Sequence, residues 1–153
     1  MDRLARILFV CTGNICRSPA AEVILRTKRP DVLVDSAAMG PWHIGEPPYP
    51  LMQDLAAKRG YDMSVLSARL VDVADFSAFD LIVAMDQSHL DGLKTICPQA
   101  ERNKIVKMGA FASGSWRDAD VPDPYYTRNF DETLDILENA IEGLIFYLDR
   151  LKV

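Results

Sequence analysis

The sequence predicts an α/β domain: a single-domain open parallel four-stranded sheet with helices on both faces and an anion-binding loop after strand 1. Three observations predict it. Short apolar runs alternate along the chain with segments of helical spacing. The run Leu81-Ile82-Val83-Ala84-Met85 carries no polar residue, as a central parallel strand covered on both faces requires. The first apolar run, Ile7-Leu8-Phe9-Val10, passes directly into Cys11-Thr12-Gly13-Asn14-Ile15-Cys16-Arg17-Ser18-Pro19, a short loop followed by a helix start.

Each element follows from local chemistry. Ser18 is a favoured N-cap and Pro19 fits the first helical position, so a helix is expected through Ala20-Ala21-Glu22-Val23-Ile24-Leu25, ending near Lys28-Arg29-Pro30. Val32-Leu33-Val34 reads as the second strand. Residues 36–50, with two glycines and four prolines, read as a long binding loop. Met52, Leu55, Ala56 and Arg59 keep helical spacing up to Gly60, a C′ stop. Val71-Asp72-Val73-Ala74-Asp75-Phe76 admits one turn of helix. After the central strand, Ser88 is expected to cap a short helix with Leu90 and Leu93 inward, ended by Pro98. Lys104-Ile105-Val106-Lys107-Met108 is the fourth strand. From Phe130, Leu134, Leu137, Ile141, Leu144, Leu148 and Leu151 keep the rhythm of a long amphipathic helix.

Length and charge bound the function. The 153 residues suit one domain, 1–153. Seventeen basic against twenty-two acidic residues give a formal charge of −5, which argues against nucleic acid or an anionic membrane as partner. No apolar run approaches the ~18 residues of a membrane span, and the amino-terminal stretch, with Asp2, Arg3 and Arg6, has no signal-peptide core. A cytoplasmic location is therefore expected. Three cysteines, an odd count, suit free thiols in a reducing compartment. His43 and His89 are too few and too scattered for a zinc site, and neither metal nor cofactor is expected.

Chemistry concentrates at Cys11. It ends a strand and faces a helix amino terminus, where unpaired N–H groups converge on an anion. That field, a nearby arginine and a hydroxyl donor all favour thiolate over thiol. Arg17 adds a planar fork suited to two oxygens of a phosphate-like group. A thiolate that displaces a phosphate ester needs a proton donor for the departing oxygen. A carboxyl near a bound dianion, shielded by aromatic rings, can hold that proton. Val121-Pro122-Asp123-Pro124-Tyr125-Tyr126 offers one in Asp123, with Asp118 and Asp120 as rivals on the same loop. Trp42, His43, Tyr125 and Tyr126 are candidate walls for an aromatic substrate. Structural readings compete: a small core residue at Cys11, a turn aspartate at Asp123, packing anchors at the aromatics.

Taken together, the stretch from Cys11 to Pro19 resembles the signature of the low-molecular-weight protein tyrosine phosphatases. Asp35-Ser36-Ala37-Ala38, Gly40-Pro41-Trp42-His43-Ile44-Gly45-Glu46-Pro47-Pro48 and Asp123-Pro124-Tyr125-Tyr126 match further family landmarks in order. The resemblance implies hydrolysis of phosphotyrosine and aryl phosphates through a cysteinyl-phosphate intermediate, without metal. Cys11, Arg17 and Asp123 would be catalytic, and Thr12, Gly13, Asn14, Ile15, Cys16 and Ser18 would form the phosphate-binding loop. Asn14 would hold the loop's shape, Ser18 would donate to the Cys11 sulfur, and Asp123 would later act as base. The partner implied is a phosphotyrosine-containing protein, in bacterial relatives often a tyrosine kinase that controls exopolysaccharide synthesis. The chain departs from the family at Tyr49 and Leu51, where relatives have aspartate and arginine. It also has Leu66 where relatives carry a histidine that supports the loop. Two alternatives are an arsenate reductase, which needs a late cysteine pair where this chain has only Cys97, and a non-catalytic phosphopeptide-binding module. Cys16, five residues after Cys11, is the thiol expected to capture an oxidised Cys11 as a disulfide.

Overall fold

The computed structural model describes residues 5–150; Asp2, Arg3 and Leu151, which entered the expectations above, lie outside the described residues. Strands β1 (Arg6–Cys11), β2 (Leu33–Ala38), β3 (Leu81–Ala84) and β4 (Ile105–Lys107) form one parallel sheet in the order β2-β1-β3-β4. The helices are α1 (Arg17–Lys28), α2 (Pro50–Lys58), α3 (Asp75–Ala78), α4 (Gln87–Ile96), α5 (Pro124–Thr127) and α6 (Phe130–Arg150).

The period of two along each strand divides the core. Ile7, Phe9 and Cys11 of β1, with Val83 of β3, join a cluster that also holds residues of α1, α2 and α6. Leu8 and Val10, with Ile82 and Ala84, pack on the other face against Phe76, Leu93 and Cys97. Helices therefore cover both faces, as the uninterrupted apolar run of β3 predicts. The chain leaves β1 toward β2 and later returns across it to β3, so the strand order reverses beside β1, and Cys11 stands at the carboxyl end of that crevice.

Several local expectations are corrected. Ser18 does not cap α1. The helix begins at Arg17, Cys16 occupies the cap position without a side-chain bond, and the Ser18 hydroxyl is engaged by the loop before it. The second strand runs on to Ala38, well past Val34, because the backbone of β1 needs partners along its whole length and Asp35 and Ser36 pair opposite Leu8 and Phe9. The long loop accordingly starts at residue 39. Ser88 does not cap α4 either: Asp86, extended at φ −145°, accepts from the Ser88 and His89 amides. The helical turn expected over residues 71–76 falls slightly later, at Asp75–Ala78, and β4 is shorter than expected because Met108 opens a 3-10 turn.

Candidate active site

The loop after β1 is held from behind by a chain of hydrogen bonds whose directions are fixed. Asn14, left-handed at φ 60°, accepts the Arg69 N–H at 3.1 Å on Oδ1, which sets the orientation of its amide. Its Nδ2 therefore donates to both Ser18 Oγ at 2.8 Å and Ser36 Oγ at 2.9 Å. The Ser36 hydroxyl in turn donates to Glu22 Oε1 at 2.7 Å. Ser18, already accepting from Asn14, is left to donate to Cys11 Sγ, 3.0 Å away. Glu22 is buried on α1, and burial raises its pKa against the opposing pull of Ser36 and Arg26, whose guanidinium closes the chain at the surface. Leu66 packs against the core and takes no part in this network. The loop is thus supported without the histidine that the resemblance places there.

Arg17 is also fixed. Its side chain is only 3% exposed, and Nη1 donates to Asp86 Oδ2 at 2.8 Å and to the Val121 carbonyl at 2.9 Å. Nη2 reaches Thr12 Oγ1 and Asp123 Oδ2, both at 3.3 Å. Burial works to raise the Asp86 pKa, but bonds from Ser88 and Arg17 outweigh it and hold the carboxylate below its ordinary value. Behind Asp86 lies His89. Its Nδ1 accepts the Asp86 N–H at 3.2 Å, so the neutral ring carries its proton on Nε2 and donates it to Thr12 Oγ1 at 2.8 Å.

Burial pulls the His89 pKa from 6.5 down to about 4. Between those values the unfolded chain binds a proton that the folded chain refuses, so stability falls as pH drops through the window. The loss at its foot is about 3 kcal/mol. His89→Gln, whose amide can make both bonds from the same helical position, should lose this pH dependence. Urea unfolding at about pH 7 and pH 4.5 tests it. Glu22, with its raised pKa, contributes the opposite slope in both proteins and cancels in the comparison. Identical pH dependence of the two would exclude His89 as the titrating group.

These groups surround a cavity of about 660 Å³, within the range of small-ligand sites. Its floor is Cys11, Thr12, Gly13, Ile15, Cys16 and Arg17, and its rim is Trp42, His43, Asp123, Tyr125 and Tyr126. Asn14 and Ser18 do not line it; they lie buried behind the loop. Two glycines bring the rim down onto the floor. A Cβ on Gly13 would stand 2.8 Å from the His43 ring, and one on Gly40 would stand 1.7 Å from that of Trp42. Asp123 caps α5 through one oxygen, accepting from Tyr125 N at 3.0 Å, and turns the other toward Arg17. Asp120 instead binds Gln87 N and Lys107 Nζ, and Asp118 is exposed at a turn.

Burial, with the Cys11 and Asp123 charges adding to it, pushes the Cys16 thiol up to about 12. Cys97 packs on the opposite face of the sheet from Cys11 and Cys16, so no cysteine relay reaches the cavity. Sequence reasoning missed what Asp86, His89 and Glu22 do. Only their places, just past a strand or inside a helix, mark them.

The family model of the low molecular weight phosphotyrosine protein phosphatases matches residues 6–153. The chain belongs to this family. It is 38% identical over 147 residues to the low molecular weight protein-tyrosine-phosphatase PtpA of Staphylococcus aureus, which covers 93% of this chain and 92% of that protein. Among solved structures, a protein tyrosine phosphatase of Entamoeba histolytica in a product-state mimic aligns with a TM-score of 0.90 at 37% identity, covering 97% of this chain and 98% of that one. Wzb of Vibrio vulnificus, bound to benzylphosphonate, aligns at 0.84 and 28% identity, covering 97% and 99%. The protein is a protein tyrosine phosphatase, with phosphotyrosine-containing proteins as its substrate class. Among the described residues of this phosphatase, no helix is long and apolar enough to cross a membrane.

Proposed function

We propose that this phosphatase works through Cys11, Arg17 and Asp123 in two displacements at phosphorus. In the first, the Cys11 sulfur forms a bond to phosphorus as the P–O bond to the tyrosyl oxygen breaks, and Asp123 protonates the departing phenolate. In the second, water attacks the cysteinyl phosphate, Asp123 takes its proton, and the S–P bond breaks to return the thiolate and release phosphate. Loop amides at the uncapped amino end of α1 and the Arg17 fork bind the equatorial oxygens throughout. Ser18 donates to the sulfur as nucleophile and as leaving group. The observation that carries this reading is the Cys11 thiol 3.0 Å from the Ser18 hydroxyl, in one cavity with Arg17 and Asp123.

The rim supports selection of phosphotyrosine. His43 and Tyr125 lie 6.4 Å apart between ring centroids, and Tyr125 and Tyr126 pack edge to face at 5.3 Å. Such walls suit an aryl ring and leave a phosphoserine side chain too short to bridge rim and floor. Benzylphosphonate, bound by the Vibrio vulnificus relative, has the same aryl–phosphorus layout. Matched peptides bearing phosphotyrosine or phosphoserine test this. The tyrosyl peptide should be hydrolysed with a kcat/KM higher by at least ~10²-fold, and comparable rates would refute the wall reading.

We further propose a cytoplasmic location, which three unpaired thiols suit. A bacterial tyrosine kinase is the substrate we propose from the family resemblance. Cys16 is proposed to capture a peroxide-oxidised Cys11. Its thiol would attack the sulfenic sulfur, the S–O bond would break, and water would leave. Because Cys16 is protonated at neutral pH, capture should quicken as pH rises.

A further inference from the structure

Beside the catalytic cavity stands an arginine to which the reaction assigns no role. Arg128 follows α5 in a left-handed conformation, φ 62°, and is exposed. Its guanidinium lies 5.3 Å from the Tyr49 ring centroid and 5.2 Å from that of Phe130, while Nη1 donates to the Tyr49 hydroxyl at 3.0 Å. The two rings are stacked, 5.6 Å apart and 7° from parallel. Among the described residues no carboxylate pairs with Arg128. This contrasts with Arg29, held by Asp31 and Asp149, and with Arg59, held by Asp131, Asp135 and Glu138. A cation is therefore held in place with most of its donors unspent.

Its position relates it to the cavity. Tyr49 meets the rim residue Tyr125 edge to face at 5.8 Å, so Arg128 stands two ring contacts from the rim. At ~3.3 Å per residue, an extended peptide whose phosphotyrosine fills the cavity carries a side chain two to four residues away past that point. The His43 part of the rim carries the opposite charge: Glu46, largely exposed, pairs with His43 Nδ1 at 3.2 Å.

We propose that Arg128 is a subsite for an acidic side chain flanking the phosphotyrosine, with Glu46 disfavouring an acid beside His43. The inference rests on the phosphatase reading and deepens it to a substrate class, phosphotyrosine segments with Asp or Glu on the Tyr49 side. A planar fork already ordered by two rings and a hydroxyl loses little freedom on gripping a carboxylate, and a rim of two signs fixes which way the segment lies.

The test is an acid scan. One phosphotyrosine peptide carries a single glutamate at each position from four before to four after the tyrosine, and kcat/KM is measured against the alanine parent at low and high salt. The wild-type enzyme should prefer glutamate on one side by about threefold to tenfold, less at high salt. Arg128→Ala should bring that ratio to one, Arg128→Lys should restore part of it, and Arg128→Glu should invert it. A flat wild-type scan, or a preference that survives in Arg128→Ala, overturns the proposal. So does a loss in Arg128→Ala equal on all peptides and on p-nitrophenyl phosphate, which would make Arg128 a structural pin. A wild-type enzyme inactive on p-nitrophenyl phosphate would instead overturn the phosphatase reading.

Discussion

Cys11→Ser is expected to show no measurable turnover of phosphotyrosine or p-nitrophenyl phosphate while still binding phosphate or vanadate. The substitution leaves the loop amides, the end of α1 and the Arg17 fork in place, and a serine oxygen can still accept from Ser18. It removes the sulfur nucleophile and substitutes a hydroxyl, which is a far weaker one. Steady-state kinetics give the first half of the result and calorimetric titration with vanadate gives the second. Activity above about one-tenth of wild type would mean that Cys11 is not the nucleophile. Lost activity together with lost anion binding would mean that the loop had collapsed.

Asp123→Ala should lower hydrolysis by roughly 10²–10⁴ for poorly departing phenols and much less for activated ones, which leave without a proton. A plot of log kcat against leaving-group pKa should therefore be steep in the variant and shallow in the wild type. Asp123 also caps α5 through Tyr125 N, so some loss could arise from a displaced rim. Asp123→Asn separates the two, because asparagine caps a helix as well as aspartate does but donates no acidic proton. If Asp123→Asn shows the wild-type slope, the residue serves only as a cap.

Much of this molecule was legible in its sequence because local and global signals agree. The apolar run of β3, the rhythm of α6 from Phe130 and the strand–loop–helix passage at Cys11 each specify their element with few alternatives. Helix starts were less legible. Ser18 and Ser88 are good caps by residue type, yet at both sites a neighbour changes the outcome. The Ser18 hydroxyl is drawn to the Cys11 sulfur, and Asp86, a carboxylate with two acceptor oxygens, takes the cap two residues early. The polar half of β2 was hidden because its strand character comes from pairing with β1 and not from its own residues. At the site, the residues that line the cavity could be read from the loops that carry them. Those that hold them, Glu22, Asp86 and His89, could not, since their partners lie 14, 69 and 77 residues away in the chain.

The support behind the phosphate-binding loop also affects the thermodynamics of capture. With Asn14 held by Arg69, Ser18 and Ser36, and Arg17 held by Asp86 and Val121, the loop's anion-binding shape is fixed by the protein's own groups. Ordering one residue's backbone costs about 1–2 kcal/mol. A loop that had to fold around each phosphate would forfeit that amount several times over at every encounter. Here the ordering is done once, when the domain folds, so anion affinity and the rate of capture are inherited from folding.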